Sequence, residues 1–273
     1  MIRILRFLRT RRRSIGRDVG RVVPLVVAMM GELAAQPAAA PPNAAPPEAA
    51  SRPELVALLD SLRVVRRVPT IDGVPQYAPA TVTRWRGAVA RLSSRHRAMA
   101  SATWPVADRV DHAVVGTQLA AFDFELRVLQ PWARDPGHWV DLVARSPYAE
   151  LPADGAARAR LRDALTAVPG TMREARRRLT RPAEELARMA VFHLDSSDEV
   201  NQGEPRRPRP PAGVIGWYRD LLARARTVDP ALVPDIERAV AALEGFRDWL
   251  LATAPTMREP AFVGLDHYAW YVR

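Results

Sequence analysis

Neither cysteine nor lysine occurs anywhere in the 273 residues; all 40 basic side chains are arginine. Without thiols there is no disulfide, thiolate metal site, cysteine nucleophile or lipid-modified cysteine within these residues. Without lysine there is no Schiff-base chemistry and no Walker A phosphate loop. Nor is there a Gly-x-Ser-x-Gly elbow or a glycine-rich dinucleotide loop. Long apolar runs are missing too. The longest candidate, Val22 to Met30, falls far short of the ~20 residues a membrane-spanning helix needs. Composition therefore excludes several reaction classes and supplies none.

The formal charge of +10 invites a nucleic-acid reading until it is located. Eight arginines (3, 6, 9, 11, 12, 13, 17 and 21) face only Asp18 and Glu32 in residues 1–36, which leaves a net of +4 on the remainder. The basic excess belongs to a leader and not to a folded face, so no nucleic-acid partner is expected. Arginine without lysine, with abundant Ala and Pro, reads as a coding bias.

Residues 1–36 follow the plan of an export signal: basic up to Arg21, apolar from Val22 to Met30, small at Ala34-Ala35. Pro24 interrupts the apolar run, and Thr10-Arg11-Arg12-Arg13 also allows a twin-arginine route. Residues 37–51 form a Pro/Ala-rich linker, extended and solvated because repeated proline stops helix propagation. The organisation expected is leader 1–36, linker 37–51 and helical domain 52–273. The chain is expected to be exported: periplasmic, secreted or attached to the cell envelope.

Helical patterning begins at Ser51, where Ser51-Arg52-Pro53-Glu54 has the capping-box form before Leu55, Leu58, Leu59 and Leu62. Val68 to Ala78 reads as a loop. A second helix, from Pro79 or Ala80, carries Val82, Trp85, Val89 and Leu92 on one face. A third runs from about Pro105 to Gln130, with an Asp123–Arg127 pair and two apolar stripes. One is Val115, Leu119, Phe122, Leu126 and Leu129. The other is Val106, Val110, Val114, Thr117, Ala121, Phe124 and Val128. Two apolar faces predict a helix surrounded by others.

Further helices are expected over 136–144, 154–168, 171–179, 182 onward, 214–226, 231–252 and 261–273. Pro169-Gly170 should break or kink the chain between the second and third of these stretches, and 199–212 should be a loop. No run alternates with period two, so no strand is expected. The fold class predicted is all-α, an irregular array or bundle of about eight to ten helices.

The chemistry-bearing candidates are sparse. The histidines are 96, 112, 138, 193 and 267, and no two have the i,i+4 spacing that puts both imidazoles of a zinc hydrolase on one helix face. Asp108 and His112 do have that spacing, so a carboxylate could orient an imidazole. Most such helix pairs are structural, and this one reads as a polar helix start. His193 shares a face with Leu186, Met189 and Ala190 and reads as a core or rim residue. Asp195, Asp198 and Glu199 lack the glycine turn and ligand pattern of a calcium loop and read as a solvated helix end. Asp266-His267-Tyr268 sits among aromatics without completing a motif. The seven tryptophans (85, 104, 132, 139, 217, 249 and 270) are spread at helical spacing, as core residues are. No residue is assigned a catalytic or metal-binding role, and no substrate-binding residue is identified.

Asp108-Arg109-Val110-Asp111, Gln118-Leu119, Phe124-Glu125-Leu126, Pro131-Trp132 and Asp135-Pro136 together resemble the bacterial family known as domain of unknown function 885. Arg160-Leu161 through Val168-Pro169, Ala175, Leu179, Pro182 and Glu185 agree with it. So do Phe246, Trp249-Leu250, Gly264 and Tyr268. The order matches from about Leu55 onward. The resemblance implies a mostly helical, zinc-metallopeptidase-like protein that is often exported and acts on peptides. Its ligand motif, a His-Glu pair followed by Pro-Gly-His-His, lies downstream of the matching region and does not occur in this chain. No cofactor is therefore expected here, while zinc is expected for the full-length family member. The reading is the non-catalytic N-terminal half of a zinc metallopeptidase, inactive alone. The alternative is a stand-alone helical binding or interaction module. The two differ at Phe262, Leu265, Trp270 and Val272, which a wall of a larger fold exposes and a self-sufficient module buries.

Overall fold

In the computed structural model, residues 51–196 and 211–271 are described. The leader 1–36, the linker 37–50, Asp198, Glu199, most of the 199–212 loop and Val272 lie outside them. Helix α1 (Ser51–Val65) is followed by a hairpin of β1 (Thr70–Ile71) and β2 (Val74–Pro75). Then come α2 (Pro79–Ala98), α3 (Val106–Phe124), a π-helical turn (Glu125–Leu129), α4 (Pro131–Arg134) and α5 (Pro136–Val143). The rest is α6 (Gly155–Arg178), α7 (Glu184–Asp195), α8 (Gly213–Val228), α9 (Val233–Thr253) and α10 (Leu265–Tyr271). Short 3₁₀ turns occupy 101–103, 146–148, 230–232 and 254–256. The fold is all-α, as the periodicity predicts.

The packing follows from the stripes. Helices α1, α2 and α3 pack on one another through Leu55, Leu58 and Leu62, then Val82, Trp85, Val89 and Leu92, then Val115, Leu119 and Phe122. Helices α6 to α9 form the second group, with α5 against α6 and α7. One hydrophobic cluster runs through both groups. Its bulkiest members, Trp139, Tyr218 and Phe246, are fully buried. Burying a large side chain is worth ~1.5–3 kcal/mol, provided its polar atoms keep partners. Tyr218 Oη accordingly donates to the Val143 carbonyl at 2.8 Å, and Trp139 Nε1 to the Trp132 carbonyl at 3.0 Å.

Two buried carboxylates, Glu174 and Asp235, are also matched. Glu174 meets Arg178 Nε at 2.6 Å and Arg177 at 3.1 Å, and Asp235 pairs with Arg162 at 3.1 Å and with Arg238. The pair expected between Asp123 and Arg127 forms.

Four expectations change. Residues 70–75 form a two-stranded antiparallel hairpin, with Thr70 opposite Pro75 and Ile71 opposite Val74. Two residues per strand are too few to show alternation. The signal was the turn, since Asp72 and Gly73 adopt φ of 50° and 75°, the left-handed pair that tight hairpins require. Helix α6 passes through Pro169-Gly170 without a break. That dipeptide is where the hairpin docks: a Cβ on Gly170 would overlap Val74 Cγ2, and one on Gly73 would lie 2.9 Å from Ala167 Cβ.

Helix α7 buries Ala187, Ala190 and Leu194, whereas Met189 and His193 are exposed. Its inward stripe is therefore small, which lets α5, α8 and α9 approach it closely. Helix α3 is covered on one face only. Val106, Val110 and Val114 are 66%, 56% and 53% exposed, so the helix is not surrounded. Among the described residues its second stripe is covered only toward its C-terminal end, where Trp270 stacks on Phe124 at 4.7 Å.

Candidate functional site

Four groups with displaced titration, Tyr77, Glu125, Asp135 and His138, gather where α2 begins and where the π turn, α4 and α5 meet. Gln130, at φ 40°, closes the π turn and hands the chain to Pro131. Asp135 caps α5 by accepting from the Gly137 N–H at 2.8 Å. These two turns bring His138 onto Tyr77, 61 residues away in sequence, with Oη and Nε2 3.1 Å apart.

Trp132 stacks on the Tyr77 ring at 5.4 Å, and Trp85 and Trp139 meet it edge-on at 5.8 and 5.3 Å. The enclosure sets the protonation states. Burial, reinforced by Glu125, pushes the Tyr77 phenol above its usual range. Burial also holds the His138 imidazole down to about 4, against the pull of Asp141. Glu125 and Asp135 are both raised by burial. Arg66, 4.0 Å from Glu125, opposes the first shift, and the Gly137 N–H opposes the second.

Tyr77 is only 6% exposed. A phenol walled by three indoles offers no path to a substrate. The cluster is built to join elements, with a protonated phenol able to donate to an unprotonated imidazole.

The candidates read from sequence do not converge. No hydrogen bond joins Asp108 to His112. Instead His112 stacks on His96 with ring centroids 3.8 Å apart, and each Nε2 faces the other's backbone carbonyl, at 2.9 and 3.2 Å. Gly116 admits this arrangement, because a Cβ there would lie 2.8 Å from the His96 ring. The 16-residue separation hides the pair, and the glycine on α3 is its only sequence trace. His193 is exposed, and Asp195 pairs with Arg247 at 3.1 Å. His267 touches the edge of Phe124 at 5.9 Å, beside exposed Tyr268. Among the described residues, no three His, Asp or Glu side chains are grouped so as to hold a metal ion. The zinc that the family resemblance implies therefore finds no donor set here. Nor is any helix among them long and apolar enough to cross a membrane.

The polar residues that carry the family resemblance make structural contacts. Gln118 accepts from Arg66 at 3.1 Å, Arg66 bridges to Glu125, and Asp135 caps a helix. A second feature is apolar. Phe262 and Leu265 are 73% and 80% exposed, and Tyr268 and Trp270 are 41% and 47% exposed. Trp270 stacks on Phe124 at the C-terminal end of α3, the helix whose N-terminal half exposes Val106, Val110 and Val114. Buried Arg134 fixes the segment leading into it, donating through Nη2 to the Pro260 carbonyl at 2.6 Å.

No family model matches the chain. No curated protein matches it either. Among solved structures it is similar to "a putative lipoprotein of unknown function" from Shewanella oneidensis, at a TM-score of 0.50 and 15% identity. The likeness covers 76% of this chain and 37% of that one, so the chain spans well under half the length of its neighbour. At this identity the likeness is one of fold: the helical array described above is part of a longer chain in at least one other protein.

Proposed function

We propose that this chain is the non-catalytic N-terminal portion of a larger exported protein of zinc-metallopeptidase type, forming one wall of a peptide-binding cleft and inactive alone. The observation that carries the reading is the pair of exposed apolar groups, Val106, Val110 and Val114 on α3 and Phe262, Leu265 and Trp270 at the C-terminal segment. Clustered apolar side chains left open to solvent are of the kind that another folded element covers. One further point supports it. The neighbouring fold is much longer than the matched part. The peptidase class itself comes from the family resemblance. Envelope association agrees with the signal-like leader and with the neighbour's description.

The test is direct. The purified chain, supplied with zinc, should neither retain the metal stoichiometrically nor cleave peptides. Chelator-sensitive turnover by this chain alone would contradict the reading, because catalysis by a metal requires ligands that hold it.

A further inference from the structure

We propose that a cleft at the C-terminal end of α9 binds a small ligand bearing a carboxylate. The cleft has a volume of ≈ 370 Å³, and its lining includes Trp249, Thr253, Thr256, Arg181, Arg258 and Glu259. That size lies within the range of small-molecule sites. The inference does not depend on the scaffold reading above.

The charge balance favours an anion. Glu259 is the one carboxylate lining the cleft, and it is already held by Arg181, with Nε and Nη2 at 3.2 and 2.9 Å. Behind it lies a second guanidinium, Arg134, only 8% exposed. The Arg181 N–H donates to the Ala133 carbonyl at 3.0 Å, and the Ala183 N–H to the Arg134 carbonyl at 3.3 Å, so Arg134 abuts the cleft wall. Among the described residues its Nη atoms reach only carbonyls, of Val128, Pro260 and Phe262, and its Nε has no partner. A buried cation without an ion pair is costly, and its field falls on this corner of the molecule. Glu259 feels it, and is held below its usual range by Arg181 first and Arg134 last.

Arg258 supplies the binding group. Its Nη1 donates to the Pro255 and Met257 carbonyls at 2.7 and 3.1 Å, which fixes the guanidinium. Nε and Nη2 make no hydrogen bond among the described residues, and together they form the planar fork that a carboxylate matches with two parallel bonds. The hydroxyls of Thr253 and Thr256 donate back to the Trp249 and Thr253 carbonyls, at 2.7 Å each. Their protons are thereby spent, so they give the cleft no competing donor. Trp249 lends an apolar wall, with Arg176 5.8 Å from its ring centroid and Phe246 5.6 Å away. The ligand that fits has a carboxylate for Arg258 and an apolar body for Trp249. A peptide C-terminus and a free aryl-alkyl acid share that chemistry.

Titration calorimetry on the full 273-residue chain at low salt, with N-acetylphenylalanine, its amide and 3-phenylpropionate, tests this. The acid should bind saturably at one site, and the amide at least tenfold more weakly. Arg258→Gln should weaken the acid about tenfold, whereas Glu259→Gln should tighten it several-fold by removing the competing carboxylate. Both variants alter solvent-facing side chains, and a thermal melt checks that each folds. Equal affinity for the two acids assigns a free organic acid, and a preference for the acetylated amino acid assigns a peptide C-terminus; either supports the site. No saturable binding, an amide that binds as well as the acid, indifference to Arg258→Gln, or weaker binding in Glu259→Gln would overturn it.

Discussion

At the scale of single residues, His138 makes the sharpest claim. Its folded value is held to about 4 against an ordinary 6.5, because burial penalises the charged ring. Between those values the unfolded chain takes up a proton that the folded chain refuses. Acidification therefore removes stability across this window, by about 3 kcal/mol once pH reaches 4. The raised carboxyls of Glu125 and Asp135 act in the opposite sense, so the imidazole must be isolated by difference. Urea unfolding of the natural chain and of His138→Gln from pH 7 to 4 should show the natural chain losing more stability, the gap closing as pH falls. Parallel curves would refute the assignment. Removing the phenol hydroxyl with Tyr77→Phe should cost about 1 kcal/mol at pH 7, a single buried hydrogen bond. None of this was legible in the sequence. Tyr77 and His138 have no common motif, and the displaced titration arises from the enclosure and not from the residue types. The visible spacing, Asp108 to His112, was the wrong partner: the imidazole of His112 is satisfied by a helix the spacing cannot see.

At the scale of elements, the sequence was informative wherever burial is one-sided and regular. The stripes of α2 and the inner stripe of α3 fall where periodicity puts them, and prolines mark helix starts at α2, α4 and α5. It misled where a local rule met a tertiary contact. Pro169-Gly170 reads as a breaker, but the missing side chain of Gly170 leaves the notch that accepts Val74. Gly170→Ala should therefore destabilise by about 1–3 kcal/mol through overpacking, despite alanine's better helix propensity. Gly155→Ala, at the first turn of the same helix with nothing within 4 Å of the new methyl, should be neutral or stabilising. Chemical denaturation of the two variants decides. A stabilised Gly170→Ala would mean that the hairpin does not sit on α6. The second stripe of α3 misled differently: apolar periodicity predicts a covered face but does not say that the cover belongs to the same stretch of chain.

At the scale of the whole molecule, the α3 stripe and the C-terminal aromatics are two apolar places left open among the described residues, and α10 is thinly held. Seven residues, held chiefly by Trp270 and His267 against Phe124, should exchange amide hydrogens far faster than the inner face of α3. Protection of 265–271 equal to that of 115–122 would argue for a self-sufficient module. Leu119→Ala, in the covered stripe, should cost ~2–5 kcal/mol. Glutamates at Val106, Val110 and Val114 should leave stability within about 0.5 kcal/mol per site, since those side chains already face solvent.

The same triple substitution gives the most direct test of the scaffold account. Sedimentation of the purified chain, with an apolar fluorescent dye as a second readout, should show concentration-dependent association and dye binding. Both should fall away in Val106→Glu, Val110→Glu, Val114→Glu while the melting temperature holds. A natural chain that stays monomeric and dye-silent, indistinguishable from the triple variant, would show that this face awaits no partner.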